Sequence, residues 1–140
     1  LFFFFFFIFF FFFFLYLFLL FFIIFGIVNA QTIYDASGRK MGRVSGDSFY
    51  DASGRKLGYV NGDKVYDASG RLKGKLNKDR IYDASGRLIG RVNGSSLFNE
   101  RGGNVGRING ESIYNSSGKL IAKTSGLSNK EIVLFFYFYN

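Results

Sequence analysis

The strongest constraint on this chain is a 16-residue unit set end to end six times, from Ile33 to Ser128, without an insertion. Its second place is always aromatic: Tyr34, Tyr50, Tyr66, Tyr82, Phe98 and Tyr114. An unbroken short period makes each unit one supersecondary piece that buries its apolar face only against its neighbours. Unit two, Phe49 to Lys64, shows the pattern best. Asp51-Ala52-Ser53-Gly54 suits a type I turn, with Asp bonding backbone N–H groups ahead of it and Gly taking positive φ. Asn61-Gly62 is the signal of a two-residue I′ hairpin turn. Each unit therefore reads as two short antiparallel strands joined by tight turns.

A lone hairpin is marginal in water. Two apolar rows must converge to make a core: Ile33, Phe49, Val65, Ile81, Leu97, Ile113, and Val44, Val60, Leu76, Val92, Ile108. Units of equal length prefer equal neighbours, so the options are a closed ring or an open stack. Closure leaves no unpaired edge, and the ring is the expectation. Gly42, Gly58, Gly74, Gly90 and Gly106 fall inside the longer strand, where Gly costs backbone entropy. Their recurrence points to a bulge or to a close approach between strands. Ala122 in the sixth copy favours the steric reading, because Ala resists positive φ.

Charge is confined to the part of the chain after Asn29, where 18 Lys and Arg face 10 Asp and Glu, a formal +8. Such a balance favours anionic partners; its plainer meaning is solubility of a repetitive β protein. There is no Cys, hence no disulfide and no thiolate site, and no His, the usual general base and commonest metal ligand. The repeated Ser (Ser37, Ser53, Ser69, Ser85, Ser117) has no His or Lys arrangement to activate it. The expectation is a non-enzyme with no cofactor and no metal.

Residues 1–30 form a separate segment, apolar or Tyr throughout Leu1–Phe25. Val28 and Ala30 match the −3 and −1 places of a signal-peptidase site before Gln31. The run is longer than a usual signal core, long enough to span a bilayer, and lacks a basic start. Three readings stand: a cleaved signal peptide, a retained signal anchor, and a miscalled start translated from T-rich DNA. Either of the first two places the repeats outside the cytoplasm, in the periplasm or at the cell surface, with inner-membrane anchoring as the alternative. Membrane attachment would run only through an uncleaved residue 1–28 segment.

Residues 129–140 end in Ile132-Val133-Leu134-Phe135-Phe136-Tyr137-Phe138-Tyr139, too short to cross a membrane as a helix and without alternation. The expectation is an aromatic strand covered on both faces and packed into the repeat core. An exposed edge used for self-association or membrane docking is the alternative.

Repeated Tyr-Asp-Ala-Ser-Gly-Arg units (34–39, 50–55, 66–71, 82–87) with the Phe135–Tyr139 tail resemble the bacterial β-flower proteins. That resemblance covers Gln31–Asn140 and implies an exported ring of β-hairpin petals, four-fold or five-fold; it implies no activity. Units five and six depart from the motif, as terminal units do.

Three repeated rows bear on function. Asp35, Asp51, Asp67 and Asp83, with Asn99 and Asn115, read as turn residues; a ring of Ca²⁺ ligands is poorly provided in a basic domain. Arg39, Arg55, Arg71, Arg87 and Lys119 sit beside that turn acid and read as surface pairs. Arg43, Lys75, Arg91, Arg107 and Lys123, at the eleventh place, are the candidate polyanion-binding residues, their nearest regular acids being Asp47, Asp63, Asp79 and Glu111 across the hairpin. The Tyr row reads as packing, with sugar stacking as the alternative.

The sequence therefore predicts an all-β ring of six tandem 16-residue hairpins (31–128) with an aromatic C-terminal strand, preceded by an apolar helix. The expected function is a non-catalytic structural or interaction module of the bacterial cell envelope. The alternative is a binder of anionic envelope glycans or other polyanions. Partners expected are an anionic glycan or other envelope component and further copies of the chain; no nucleic acid is expected.

Overall fold

A computed structural model describes residues 2–25 and 30–140. Residues 26–29, and with them most of the expected cleavage motif, lie outside the described residues. An apolar helix α1 (Phe2–Phe25) comes first. Its Phe3–Phe21 stretch has a mean hydropathy of 2.9, long and apolar enough to cross a membrane by length and composition alone.

Twelve strands follow, alternately of four and six residues: β1 (Thr32–Asp35), β2 (Lys40–Ser45), β3 (Ser48–Asp51), β4 (Lys56–Asn61), β5 (Lys64–Asp67), β6 (Leu72–Asn77). The series continues with β7 (Arg80–Asp83), β8 (Leu88–Asn93), β9 (Ser96–Asn99), β10 (Asn104–Asn109), β11 (Ser112–Asn115) and β12 (Leu120–Ser125). Each pairs antiparallel with the next, and β12 pairs with β1, so the sheet closes on itself. The expected ring is therefore present.

Four hairpins turn through a Gly (Gly46, Gly62, Gly94 and Gly110) and one through Lys78; the sixth is assembled from the first and last strands. Its register repeats theirs: Tyr34 faces Lys123 and Asp35 faces Ala122, as Tyr50 faces Arg43 and Asp51 faces Gly42. Within each unit the ladder slips by one residue, for example between Phe49 and Tyr50, leaving Leu57 as the extra residue of a β-bulge. The bulge turns the ninth-place residues Met41, Leu57, Ile89, Val105 and Ile121 onto the core.

One turn differs from its sequence reading. The hairpin is closed by Asn61 opposite Lys64, so the two central residues are Gly62 and Asp63 rather than Asn61 and Gly62. Gly62 has φ +64, and Lys78 is the sole described non-glycine with positive φ, so Asp63 has none. A I′ turn needs positive φ at both central residues and is excluded. The Asp-Ala-Ser-Gly turn is as expected: Gly38 N donates to the Asp35 carbonyl at 3.0 Å, and Gly38 has φ +86.

The chain end corrects the sequence reading more sharply. Residues 129–140 are not a strand but a helix, α2 (Asn129–Leu134), that widens into a π-helical turn over Phe135–Tyr139. The closed sheet explains the difference: with every strand edge already paired, a further strand would leave its N–H and C=O groups unmatched inside the ring. A helix satisfies its own. Ser128 and Glu131 start it with a capping box, Ser128 Oγ accepting from Glu131 N and Glu131 Oε2 accepting from Ser128 N at 2.6 Å. Gln31 Nε2, just before β1, donates to the other Glu131 oxygen at 3.2 Å.

The tail packs inside the ring as part of its core. Ile132, Val133, Leu134 and Phe135 are buried against the first-place row, whose six residues are at most 2% exposed. Among the described residues, every buried hydrophobic side chain lies between Ile33 and Phe135. Each such side chain contributes about 1.5–3 kcal/mol, so the ring and its plug form one self-contained core.

Candidate functional site

Each repeated row occupies one surface of the ring, and the inner surface is consumed by packing. Tail rings descend past successive petals: Phe136 faces Gly106, Tyr137 faces Gly90, Phe138 faces Gly74 and Tyr139 faces Gly58. A Cβ on Gly74 would lie 2.7 Å from the Phe138 ring, and one on Gly90 would lie 2.7 Å from Tyr137 Cζ. The glycine row is thus a steric demand, as Ala122 suggested. Tyr137 Oη donates to the Phe98 carbonyl at 2.7 Å and Tyr139 Oη to the Tyr66 carbonyl at 2.8 Å. Those two carbonyls are also the ones a side chain on Gly90 or Gly58 would strike. Burial raises both phenol pKa values, Tyr139 to about 12 with help from the Asp67 charge. A π-helix turns less per residue than an α-helix, which helps consecutive rings meet consecutive petals.

Unit three breaks the inner row with Lys73, where the other units carry an apolar residue. Its ammonium donates to the Phe138 carbonyl and lies 4.8 Å from the Tyr139 ring centroid, capping the end of the plug.

The turn row binds itself. Asp35 Oδ1 accepts from Ser37 N (2.8 Å), Ser37 Oγ (2.6 Å) and Arg39 N (3.0 Å), and Oδ2 accepts from Arg39 Nε at 2.9 Å. Asp51, Asp67 and Asp83 repeat the set. The hydroxyl first, and then the backbone N–H of the Arg, hold these carboxyls below the usual range, Asp83 at about 2. Asn99 and Asn115 keep the backbone bonds and lose the ion pair. The seventh-place arginines are therefore exposed partners of their own turn acids. Among the described residues no cluster of three metal-ligating side chains exists.

The eleventh-place row lies on the outer wall, each member directly opposite an aromatic of the next strand. Arg43 pairs with Tyr50, Lys75 with Tyr82, Arg91 with Phe98, Arg107 with Tyr114 and Lys123 with Tyr34. In three of these pairs the cation sits over the ring: Arg43 at 4.3 Å, Lys75 at 5.2 Å and Arg107 at 5.5 Å from the centroid. Unit two substitutes Tyr59, stacked on Tyr66 at 5.0 Å. Five cations and seven aromatics thus form one belt around the ring, open at Tyr59. Among the described residues, none of the five cations has an ion pair; the acids across the hairpin do not reach them. Sequence reasoning placed the cations in a row but missed their aromatic partners, because the cross-strand register decides which second-place ring each one meets.

No curated protein and no solved structure matches the chain. A family model described as 5-fold beta-flower protein matches residues 30–140, the ring and its plug together. The chain belongs to the 5-fold β-flower protein family.

Proposed function

We propose that this chain is a non-catalytic interaction module of the cell envelope whose outer belt binds polyanions such as acidic envelope glycans. The observation that carries the reading is the belt itself: Arg43, Lys75, Arg91, Arg107 and Lys123 without acidic partners, each beside an aromatic ring. A ring contact at the surface is worth only about 0.5–1 kcal/mol. It uses the face of a guanidinium and leaves its edge N–H donors for an anion. The neighbouring arginines at the seventh place add little, being neutralised by their turn acids. Export by the apolar N-terminal segment, as signal or anchor, would bring the belt to the envelope. A structural role through self-association is the second reading, favoured by the repetition of one surface around the ring.

Heparin and dextran columns, loaded with residues 31–140, separate the two. Retention on heparin that falls steeply between about 50 mM and 300 mM salt is expected, with none on neutral dextran. Replacing the exposed Arg91, Arg107 and Lys123 by Ser should shift elution to clearly lower salt. Salt-resistant retention, or elution unmoved by the triple replacement, would remove the polyanion reading and leave self-association.

A further inference from the structure

The plug does not fill its ring evenly. Between α2 and the wall around Gly46, Phe49 and Val60 only about 170 Å³ remains. Toward the turn ends of β6, β8 and β10 a cleft of about 710 Å³ opens. Its apolar lining is Leu76, Val92 and Ile108 from the twelfth-place row, with Val133 from the plug. Lys78 and Lys130 border it, and no Asp or Glu lines it. Lys130 Nζ is steadied by the Gly62 carbonyl at 2.9 Å.

Lys78 is a second and independent mark. Its place in the repeat is Gly in every other unit: Gly46, Gly62, Gly94, Gly110 and Gly126. All five have positive φ, and Lys78 adopts φ +55 in the same position, a conformation disfavoured for an L side chain. Among the described residues its ammonium has no hydrogen bond or ion pair. The strained residue thus stands at the cleft and supplies charge there. Strain of this kind concentrates at binding sites.

We propose that this cleft binds an anionic amphiphile. Its carboxylate or phosphate head would lie at Lys78 and Lys130, and its apolar chain over Leu76, Val92, Ile108 and Val133. The cleft meets the outer belt at Arg107, which lines both, whereas Lys78 and Lys130 lie outside the belt, so the two lysines test this site alone.

Decanoate is the probe, titrated into residues 31–140 and followed by methyl NMR at Val92, Ile108 and Val133. Saturable shifts at those methyls are expected. Lys78→Gly restores the repeat's own residue, so the ring should fold at least as stably while binding decanoate about tenfold more weakly, the loss of one charged contact. Lys130→Gln should weaken binding in the same direction. Decanol and inorganic phosphate, each carrying half of the chemistry, should both bind more weakly than decanoate. The proposal is overturned by absence of saturable shifts or by Lys78→Gly binding with unchanged affinity. It is equally overturned by decanol binding as tightly as decanoate, or by phosphate alone doing so.

Discussion

Two hairpins of the ring, β2–β3 and β12–β1, carry the same register with different connectivity. The first is joined by the Gly46 turn; the second is made of strands from opposite ends of the repeat array, with no turn between them. Tyr still faces a cation, and Asp still faces the small tenth-place residue. Register in this molecule is therefore set by side-chain packing, with the apolar row inward and the Tyr–cation row outward. Turn chemistry serves to reach it quickly. The tie that replaces the missing turn is Gln31, which reaches both the Gly126 carbonyl and Glu131 at the head of the plug.

The comparison is broken most severely by ending the chain at Leu134. That removes Phe135 and the four rings that fill the glycine row, at about 3–5 kcal/mol per buried aromatic. Total stability of about 5–15 kcal/mol does not survive the loss. Circular dichroism should show no cooperative thermal transition, and a transition near that of the intact ring would refute the plug's role.

Next in size is Gly74→Val, which drives a side chain into the Phe138 ring and the Tyr82 carbonyl. Overpacking of this kind costs about 1–3 kcal/mol. The reciprocal change, Ala122→Gly in the hairpin without a turn, should cost only about 0.5–1 kcal/mol, mainly in backbone entropy. Urea midpoints rank the two, and equal losses would show that the glycine row is not steric.

The smallest effect is with acid. The four turn carboxyls titrate below their unfolded value near 4, Asp83 at about 2. A depressed pKa contributes stability that is complete above the unfolded value and is lost as pH falls through the folded one. Melting temperature should therefore decline modestly from about pH 4 to pH 2, through units one to four alone. Replacing all four Asp by Asn, as units five and six already have, should flatten that decline.

Period, ring closure, both core rows and the Asp turn follow from residue types at fixed spacing. The helical tail was also within reach. Ser128-Asn129-Lys130-Glu131 is a capping box ahead of an apolar run, a local signal outweighed by the aromatic, β-prone composition that follows it. Asn61-Gly62 misled because Asn-Gly favours I′, yet the packing-set register makes Gly62 and Asp63 the central pair. The belt was legible only in half, since which ring meets which cation depends on the cross-hairpin register that pairs the eleventh place with the second place of the next unit. The cleft beside Lys78 was not legible at all: an off-centre plug is a property of the assembled ring.

A closing strand, β12, and a plug that follow every other petal also fix an order of events. As the polypeptide is made from its N-terminus, petals can form one by one, but each faces an empty axis until Tyr139 has left the ribosome. The growing chain therefore has no finished core until that tail is present. Its stability arrives all at once, with residues 129–140, which makes their docking the step at which folding commits.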